Sequence, residues 1–421
     1  MGGAEYTDAA GSGAADALAA QAQGAGPGDA AAGQEPWDVV VVGGGPSGAT
    51  AAHELAKRGL RVALLDRAGR TKPCGGAIPP RLIADFAIPD ELLVARVASA
   101  RMVAPSGRQV DMPIDTGFVG MVDRGPFDEW LRERARQAGA TRLTGEFAGI
   151  VRDPQGRYRI EWRPRDGSRQ SLHARCVVAA DGAASPVARQ CIPGARRQRH
   201  VAAYHEIIET PTGADGRRCE VHYDGRYSPD FYGWVFPHGA TMSIGVGSAQ
   251  RGFSLRHATG ALRAATGLEG ARLIRREGAP IPMKPLRRWD DGHGLVLAGD
   301  SSGVVAPASG EGIYYAMLGG RLAANAVAQR LATGDVAALR TARREFMREH
   351  GRVFWILGMM QWFWYSSDRR RERFVGICRD PGVQRLTWES FLHKRLVRAQ
   401  PLEQLRIFFK DMAHLLGLVR A

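Results

Sequence analysis

The apolar positions of this chain fall into short continuous runs rather than long periodic stretches. The first is Trp37–Val42 (WDVVVV), apolar without a break from Val39 and so expected to be a buried strand. GGGPSG (Gly43–Gly48) follows at once, and then the helix-like ATAAHELAKRG. A second strand, RVALLD, ends at Asp66, and a loop KPCGGAIPPR (Lys72–Arg81) comes after it. Farther on, RCVVAADGAASPVAR (Arg175–Arg189) reads as a buried strand running into a turn at Asp181-Gly182. HGLVLAGDSSGVVAPASGEGIYYAMLGGRLAANAV (His293–Val327) reads as a strand ending at Gly299-Asp300, a glycine-punctuated loop and a long helix of small residues. Between these lies SPDFYGWVFP (Ser228–Pro237), where Tyr232, Trp234 and Phe236 alternate and so face one side of a strand.

The glycine spacing gives the first run its chemistry. Gly43, Gly45 and Gly48 stand in G-x-G-x-x-G register between a strand and a helix. There the first permits a tight turn, the second admits a pyrophosphate close to the backbone, and the third lets helix and strand pack closely. The helix N-terminus offers unpaired N–H groups to phosphate, and Asp66 ends the next strand where a carboxylate can hold a ribose. Strand, turn, helix, strand and acid in this order imply dinucleotide binding.

Composition narrows the setting. The length of 421 residues suffices for two joined domains with a large core. Five scattered cysteines (74, 176, 191, 219, 378), with no C-x-x-C pair, argue for a reducing compartment and against disulfides or a structural zinc; no metal site is expected. No basic start followed by an apolar core marks a secretory signal, so a cytoplasmic location is expected. Residues 1–36 hold five acids, no Lys or Arg, and a low-complexity Ala/Gly composition, which predicts disorder. The whole chain carries +14, and the rest without this leader is more basic still, which favours anionic partners.

Part of that charge sits at the end. Residues 352–421 carry thirteen Lys/Arg against six Asp/Glu and four of the nine tryptophans. The run VFWILGMMQWFWY (Val353–Tyr365) is too short to span a bilayer and is followed by SSDRRRER. It suits either the interface of an anionic membrane or a helix packed on the core with a solvated basic edge. Nucleic acid is not expected, because no binding module is recognised here.

Taken together, GGGPSG…Asp66, VDRGPFDEWL (Val122–Leu131), AADGAAS and AGDSSGVVAPASGEGI resemble the FAD-dependent fold of p-hydroxybenzoate hydroxylase and its relatives. Within that fold the chain resembles the geranylgeranyl reductase family of chlorophyll and bacteriochlorophyll synthesis. The marks are KPCGGAIPPR, VDMPIDTGFVGMVDR (Val110–Arg124) and the P-x-x-Y-x-W-x-F-P pattern at Pro229, Tyr232, Trp234, Phe236 and Pro237. The resemblance runs from about Trp37 into the C-terminal region and excludes the leader.

It implies an α/β fold: an FAD-binding Rossmann-like parallel sheet domain from 37–95, 122–190 and 290–335, and an antiparallel substrate sheet from 96–121 and 200–285. A helical aromatic and basic region would follow over 336–421. FAD would lie on Gly43, Gly45 and Gly48, with Asp66 and Arg67 at the adenosine end. Cys74, Gly75, Gly76 and Ala77 would pass near the isoalloxazine. Arg124, Asp181, Gly299 and Asp300 would serve the phosphate and ribityl region, and Pro307, Gly310 and Gly312 would border the ring.

Tyr232, Trp234 and Phe236 would wall an isoprenoid chain. The implied reaction is reduction of three of the four double bonds of a geranylgeranyl group to give phytyl, on (bacterio)chlorophyll or as the diphosphate. NADPH is the implied donor, and peripheral contact with the photosynthetic membrane is an expected partner. An isolated alkene is a poor hydride acceptor unless it is protonated, so an acid is needed; Cys74 and Tyr232 are its candidates. Two other readings share the motifs in whole or part: a flavin monooxygenase, and a prenyl-binding protein without flavin, as in Rab GDP-dissociation inhibitors.

Overall fold

The computed structural model describes residues 35–67, 71–115 and 117–394. The leader expected to be disordered and the last part of the basic tail lie outside them.

Strand β1 (Trp37–Val42) is buried from Val39 onward and pairs in parallel with β2 (Val62–Asp66), with helix α1 (Pro46–Ala56) between them. Two-residue β3 (Ala77–Ile78) leads to α2 (Pro80–Phe86), β4 (Leu93–Val97), β5 (Ser99–Val103), β6 (Gln109–Pro113) and β7 (Val119–Val122). Helix α3 (Arg124–Gln137) then runs to β8 (Thr141–Arg152), β9 (Tyr158–Pro164) and β10 (Gln170–Ala179).

β8 and β10 each change partners along their length. The first residues of β8, Thr141–Thr144, pair in parallel with β2, whereas Gly145–Arg152 pair antiparallel with β9. β10 meets β9 antiparallel up to Ala174 and continues in parallel with β1 to Ala179. One six-stranded sheet is therefore parallel at one end and antiparallel at the other. Gly145 sits at the switch because a Cβ there would lie 2.4 Å from the Trp162 ring.

After α4 (Pro186–Cys191), the chain builds β11 (His200–Glu209), β12 (Arg218–His222), β13 (Gly233–His238) and β14 (Thr241–Ser248). Helix α5 (Leu255–Ala265) and β15 (Leu273–Pro282) follow. A seven-stranded sheet results, in the order β15-β11-β14-β13-β12-β5-β6, antiparallel except for the β12–β5 pair. The hairpin of β5 and β6 thus closes one edge. β3, β7 and β4 form a separate three-stranded sheet. That sheet draws on residues from both sides of the boundaries expected near 95 and 121, because β7 pairs with β3 and β4 together.

The chain returns to the first sheet with β16 (Leu295–Leu297), which pairs in parallel with β10. α6 (Ile313–Thr333), α7 (Arg340–Trp364), α8 (Asp368–Ile377) and α9 (Pro381–His393) complete the described residues.

Helix α6 packs across α1, and glycine sets their distance. A Cβ on Gly320 would lie 2.2 Å from Ser47 O, and one on Gly48 would lie 1.8 Å from Gly43 O. Both contacts are with backbone, which cannot swing aside. We expect Gly320→Ala to destabilise the protein by about 1–3 kcal/mol through overpacking. Gly260→Ala, in α5 where a Cβ meets nothing within 4 Å, should instead be neutral or stabilising by up to ~1 kcal/mol. Denaturant midpoints of the two variants check both signs.

Candidate active site

The end of β1 and the start of α1 make an open cradle. Gly43 turns with φ +101, and a Cβ there would meet Ala180 O at 2.3 Å, whereas one on Gly45 would meet nothing within 4 Å. Gly45 caps α1 without a side-chain hydrogen bond, and the first turn holds no acid, so its N–H groups and positive dipole end are free for an anion. Ser47 Oγ is buried there with no hydrogen-bond partner among the described residues. Asp66 lies against Gly44, where a Cβ would come within 2.8 Å of it. Arg132 of α3 fixes this corner: its Nη1 donates to Gly44 O at 3.2 Å and lies 3.4 Å from Asp66 Oδ2. Arg132 has no local sequence signal, since its role depends on how α3 docks.

A cavity opens beside the cradle, between the first sheet and the face of β11, β13 and β15. Lys72, Cys74, Arg124 and Asp300 line its polar side. Trp234, Ile281, Val305 and Ile313 are among its apolar lining. Lys72 forms an ion pair with Asp300, which is nearly buried on the short turn Gly299–Ser302. Arg124 holds Asp128 with both arms, Nε to Oδ1 at 2.8 Å and Nη2 to Oδ2 at 2.7 Å, and shares the cavity wall with Cys74. Burial works to lower the guanidinium pKa, but Asp128 and Cys74 outweigh it and hold Arg124 above its usual range. Gly310 and Gly312 line the cavity as well, and Gly312 caps α6, again with no side-chain hydrogen bond.

The aromatic triplet faces one way, as its alternation predicts. Ring centroids of Tyr232 and Trp234 lie 6.1 Å apart, and those of Trp234 and Phe236 lie 6.3 Å apart. Their duties differ. Trp234 lines the cavity, and the Phe236 ring would lie 3.1 Å from a Cβ on Gly75. Tyr232 stacks on Phe231, and its hydroxyl donates to Ser309 O at 2.6 Å.

His205, which sequence reasoning passed over, also lines the cavity and is 3 % exposed. Its Nδ1 lies 2.8 Å from Ser243 Oγ, which accepts from Trp234 Nε1 at 3.1 Å. Its Nε2 lies 3.0 Å from Glu277 Oε2. The network fixes the Trp234 ring, and Gly245 leaves room for it: a Cβ there would lie 2.6 Å from Trp234 Cζ2.

Several expected residues are occupied elsewhere. The Asp181 carboxylate accepts from Ser185 Oγ at 2.5 Å and Val187 N at 3.1 Å, and so serves the start of α4. Burial pushes its pKa up to about 6 despite those bonds. Arg67 pairs at the surface with Glu146. Gly76 and Ala77 leave the cavity: a Cβ on Gly76 would lie 2.5 Å from Val122 O, and Ala77 pairs with Met121 in the small sheet. Tyr232 is a poor acid in this setting, since burial raises its phenol well above the ordinary value and its proton is held by a carbonyl. Gly299 takes φ +69 against Ser47, and Pro307 approaches Gly358 of α7.

Residues 37–213 match the pyridine nucleotide-disulphide oxidoreductase family model, and residues 253–416 match the lycopene cyclase protein model. A geranylgeranyl diphosphate reductase of Rhodobacter capsulatus is 57 % identical over 387 residues, covering 91 % of this chain and 98 % of that protein. The chloroplastic geranylgeranyl diphosphate reductase of Oryza sativa subsp. japonica is 35 % identical over 405 residues, covering 91 % and 86 %.

Among solved structures, a geranylgeranyl bacteriochlorophyll reductase-like protein from Thermoplasma acidophilum superposes with a TM-score of 0.76 at 22 % identity, over 87 % of this chain and 99 % of that one. A flavin-dependent brominase superposes with a TM-score of 0.70 at 16 % identity, over 91 % and 100 %. Both speak for the fold, that of FAD-dependent oxidoreductases resembling p-hydroxybenzoate hydroxylase. By its identity to the Rhodobacter relative along nearly the whole of both proteins, the chain belongs to the geranylgeranyl diphosphate reductase family.

Proposed function

We propose that this protein reduces three double bonds of a geranylgeranyl group to give phytyl, with FAD as the bound cofactor and NADPH as the electron donor. The carrier of the prenyl chain would be (bacterio)chlorophyll or the diphosphate. The observation that carries this reading is the two-sided cavity. Its polar wall of Lys72, Cys74, Arg124 and Asp300 adjoins the dinucleotide cradle, and its other wall, with Trp234 and Ile281, suits a hydrocarbon chain.

The residues present fit FAD. The two uncapped helix N-termini, the orphaned Ser47 Oγ and the open space at Gly45 are places where a dinucleotide would satisfy groups that the protein leaves free. Gly43, Gly45 and Gly48 would receive the pyrophosphate, Asp66 with Arg132 the adenosine ribose, and Asp300 the ribityl side. When bound, FAD supplies the hydride for alkene reduction.

The chain's own residues supply the rest. Trp234, held by Ser243, orients the prenyl chain and excludes water. Cys74 Sγ donates the proton, and Arg124 beside it is placed to stabilise the thiolate that remains. Gly76 N also donates toward that sulfur, at 3.5 Å.

The outer face of α7 supports membrane contact. Arg344, Arg348, Arg352, Trp355, Met359 and Trp362 fall on one exposed stripe at helical spacing, and Trp355 and Trp362 are 67 % and 76 % exposed. Cations beside exposed indoles suit an anionic headgroup layer. No described helix is long and apolar enough to cross a bilayer.

Incubated anaerobically with NADPH and geranylgeranyl diphosphate or the geranylgeranylated pigment, the protein should yield products heavier by one, two and three hydrogen pairs. A product formed only with O₂ and carrying oxygen would establish a monooxygenase instead. Cys74→Ser should slow alkene reduction by about 10²-fold or more while NADPH still bleaches the flavin; an unchanged rate would remove Cys74 from the mechanism. Tyr232→Phe should retain alkene reduction within a few-fold and lose about 1 kcal/mol of stability from its bond to Ser309. Trp355→Ser with Trp362→Ser should abolish co-sedimentation with anionic vesicles; undiminished co-sedimentation would argue that this face is not the contact.

A further inference from the structure

The turn that would border the flavin ring, Ala306–Gly312, is held largely by side chains from later in the chain. Ala308 takes φ +61, which an alanine adopts only when its surroundings impose it. Its N–H donates to Gln361 Oε1 at 3.2 Å, and its carbonyl accepts from Tyr365 Oη at 3.0 Å. Two residues on, Gly310 and Gly312 face the cavity, while Glu311 between them is turned into an ion pair with Lys394, just past the end of α9.

That pair is unusually enclosed. The Lys394 and Glu311 side chains are 2 % and 6 % exposed. The lysine ammonium lies 4.6 Å from the Phe391 ring centroid and 5.4 Å from those of Tyr314 and Tyr315, inside an aromatic cage. Glu311 Oε1 has no further partner among the described residues. Burial drives Glu311 toward its neutral form and Lys394 toward its own, and each opposes that drive in the other. A carboxylate so buried, with one partner, is a costly way to tether a turn unless the tether matters.

We propose that Lys394 is a positioning residue for the flavin. Through its ion pair with Glu311 it holds the Gly310–Gly312 turn in the shape that receives the isoalloxazine, and it balances a carboxylate buried in that turn. The proposal rests on the flavoprotein reading above. It makes cofactor affinity depend on a residue outside the cavity lining. Its signature is coupling: a partner left alone is driven to its neutral form and the tether is lost, whereas removal of both ionisable groups leaves neither unmatched.

The test uses the full chain with Lys394→Met, Glu311→Gln and the double variant. FAD affinity is read by fluorescence on apoprotein. Lys394→Met and Glu311→Gln should each weaken FAD binding at least tenfold, and the double variant should recover most of the affinity that either loses.

Wild-type affinity in Lys394→Met, or a double variant no better than Lys394→Met, would overturn the proposal. Should Lys394→Met fail to fold, Glu311→Gln against the double variant carries the comparison. A recovery of affinity in the double variant then supports the proposal, and its absence overturns it. A wild-type protein that binds no FAD would instead overturn the flavoprotein reading.

Discussion

Everything in the candidate site depends on how closely backbone approaches backbone at the first turn of α1. Gly48 lets that turn sit on Gly43, Gly43 lets it sit on the end of β10, and Gly320 lets α6 cross directly over Ser47. These contacts bring two uncapped helix N-termini to one cradle. Any side chain at these points would separate the layers and move the two sets of free N–H groups apart. The parallel end of the first sheet is the platform, and the partner exchange along β8 and β10 fixes its edges without a separate domain.

On that platform two kinds of surface meet. The polar wall is charged but nearly neutral in sum, since Arg124 is matched by Asp128 and Lys72 by Asp300. Neither pair adds much net stability, because desolvation offsets the attraction in the buried Arg124–Asp128 pair and solvent screens the half-exposed Lys72; what they give is orientation. The apolar wall gains its rigidity differently. Trp234 is pinned through Ser243 to His205, and His205 reaches Glu277 on the neighbouring strand, so a ring facing hydrocarbon is steered by a polar network behind it.

The sequence was readable where chemistry follows local spacing. The β1–glycine–α1–β2 segment and its closing Asp66 can be drawn from consecutive residues, because Gly48 answers a contact with Gly43 in the same turn and Gly45 leaves the space that a phosphate needs. The shared face of Tyr232, Trp234 and Phe236 follows from the two-residue period of a strand. Roles set by distant packing were not readable. Arg132 reaches Asp66 only once α3 docks, and Lys72 meets Asp300 across 228 positions. Tyr232 looked like an acid from its place in a motif, yet its proton is committed to Ser309, a contact no spacing rule encodes. Asp181 marks the same limit from the other side: its place at a strand end makes it a candidate ligand, and only the fold shows it also accepting from a serine four residues on.

The order in which these parts leave the ribosome adds a further consequence. Strands β1 and β2, the cradle and the Lys72–Cys74 loop are made first, but their charge partner Asp300, the turn beyond it and the α7 residue Gln361 that grips Ala308 come hundreds of residues later. At typical synthesis rates of ~5–20 residues per second, the nascent chain spends on the order of ten seconds or more with a half-built pocket. The cavity is therefore completed late in synthesis, and for that interval its apolar lining is solvent-facing surface of the kind that favours aggregation.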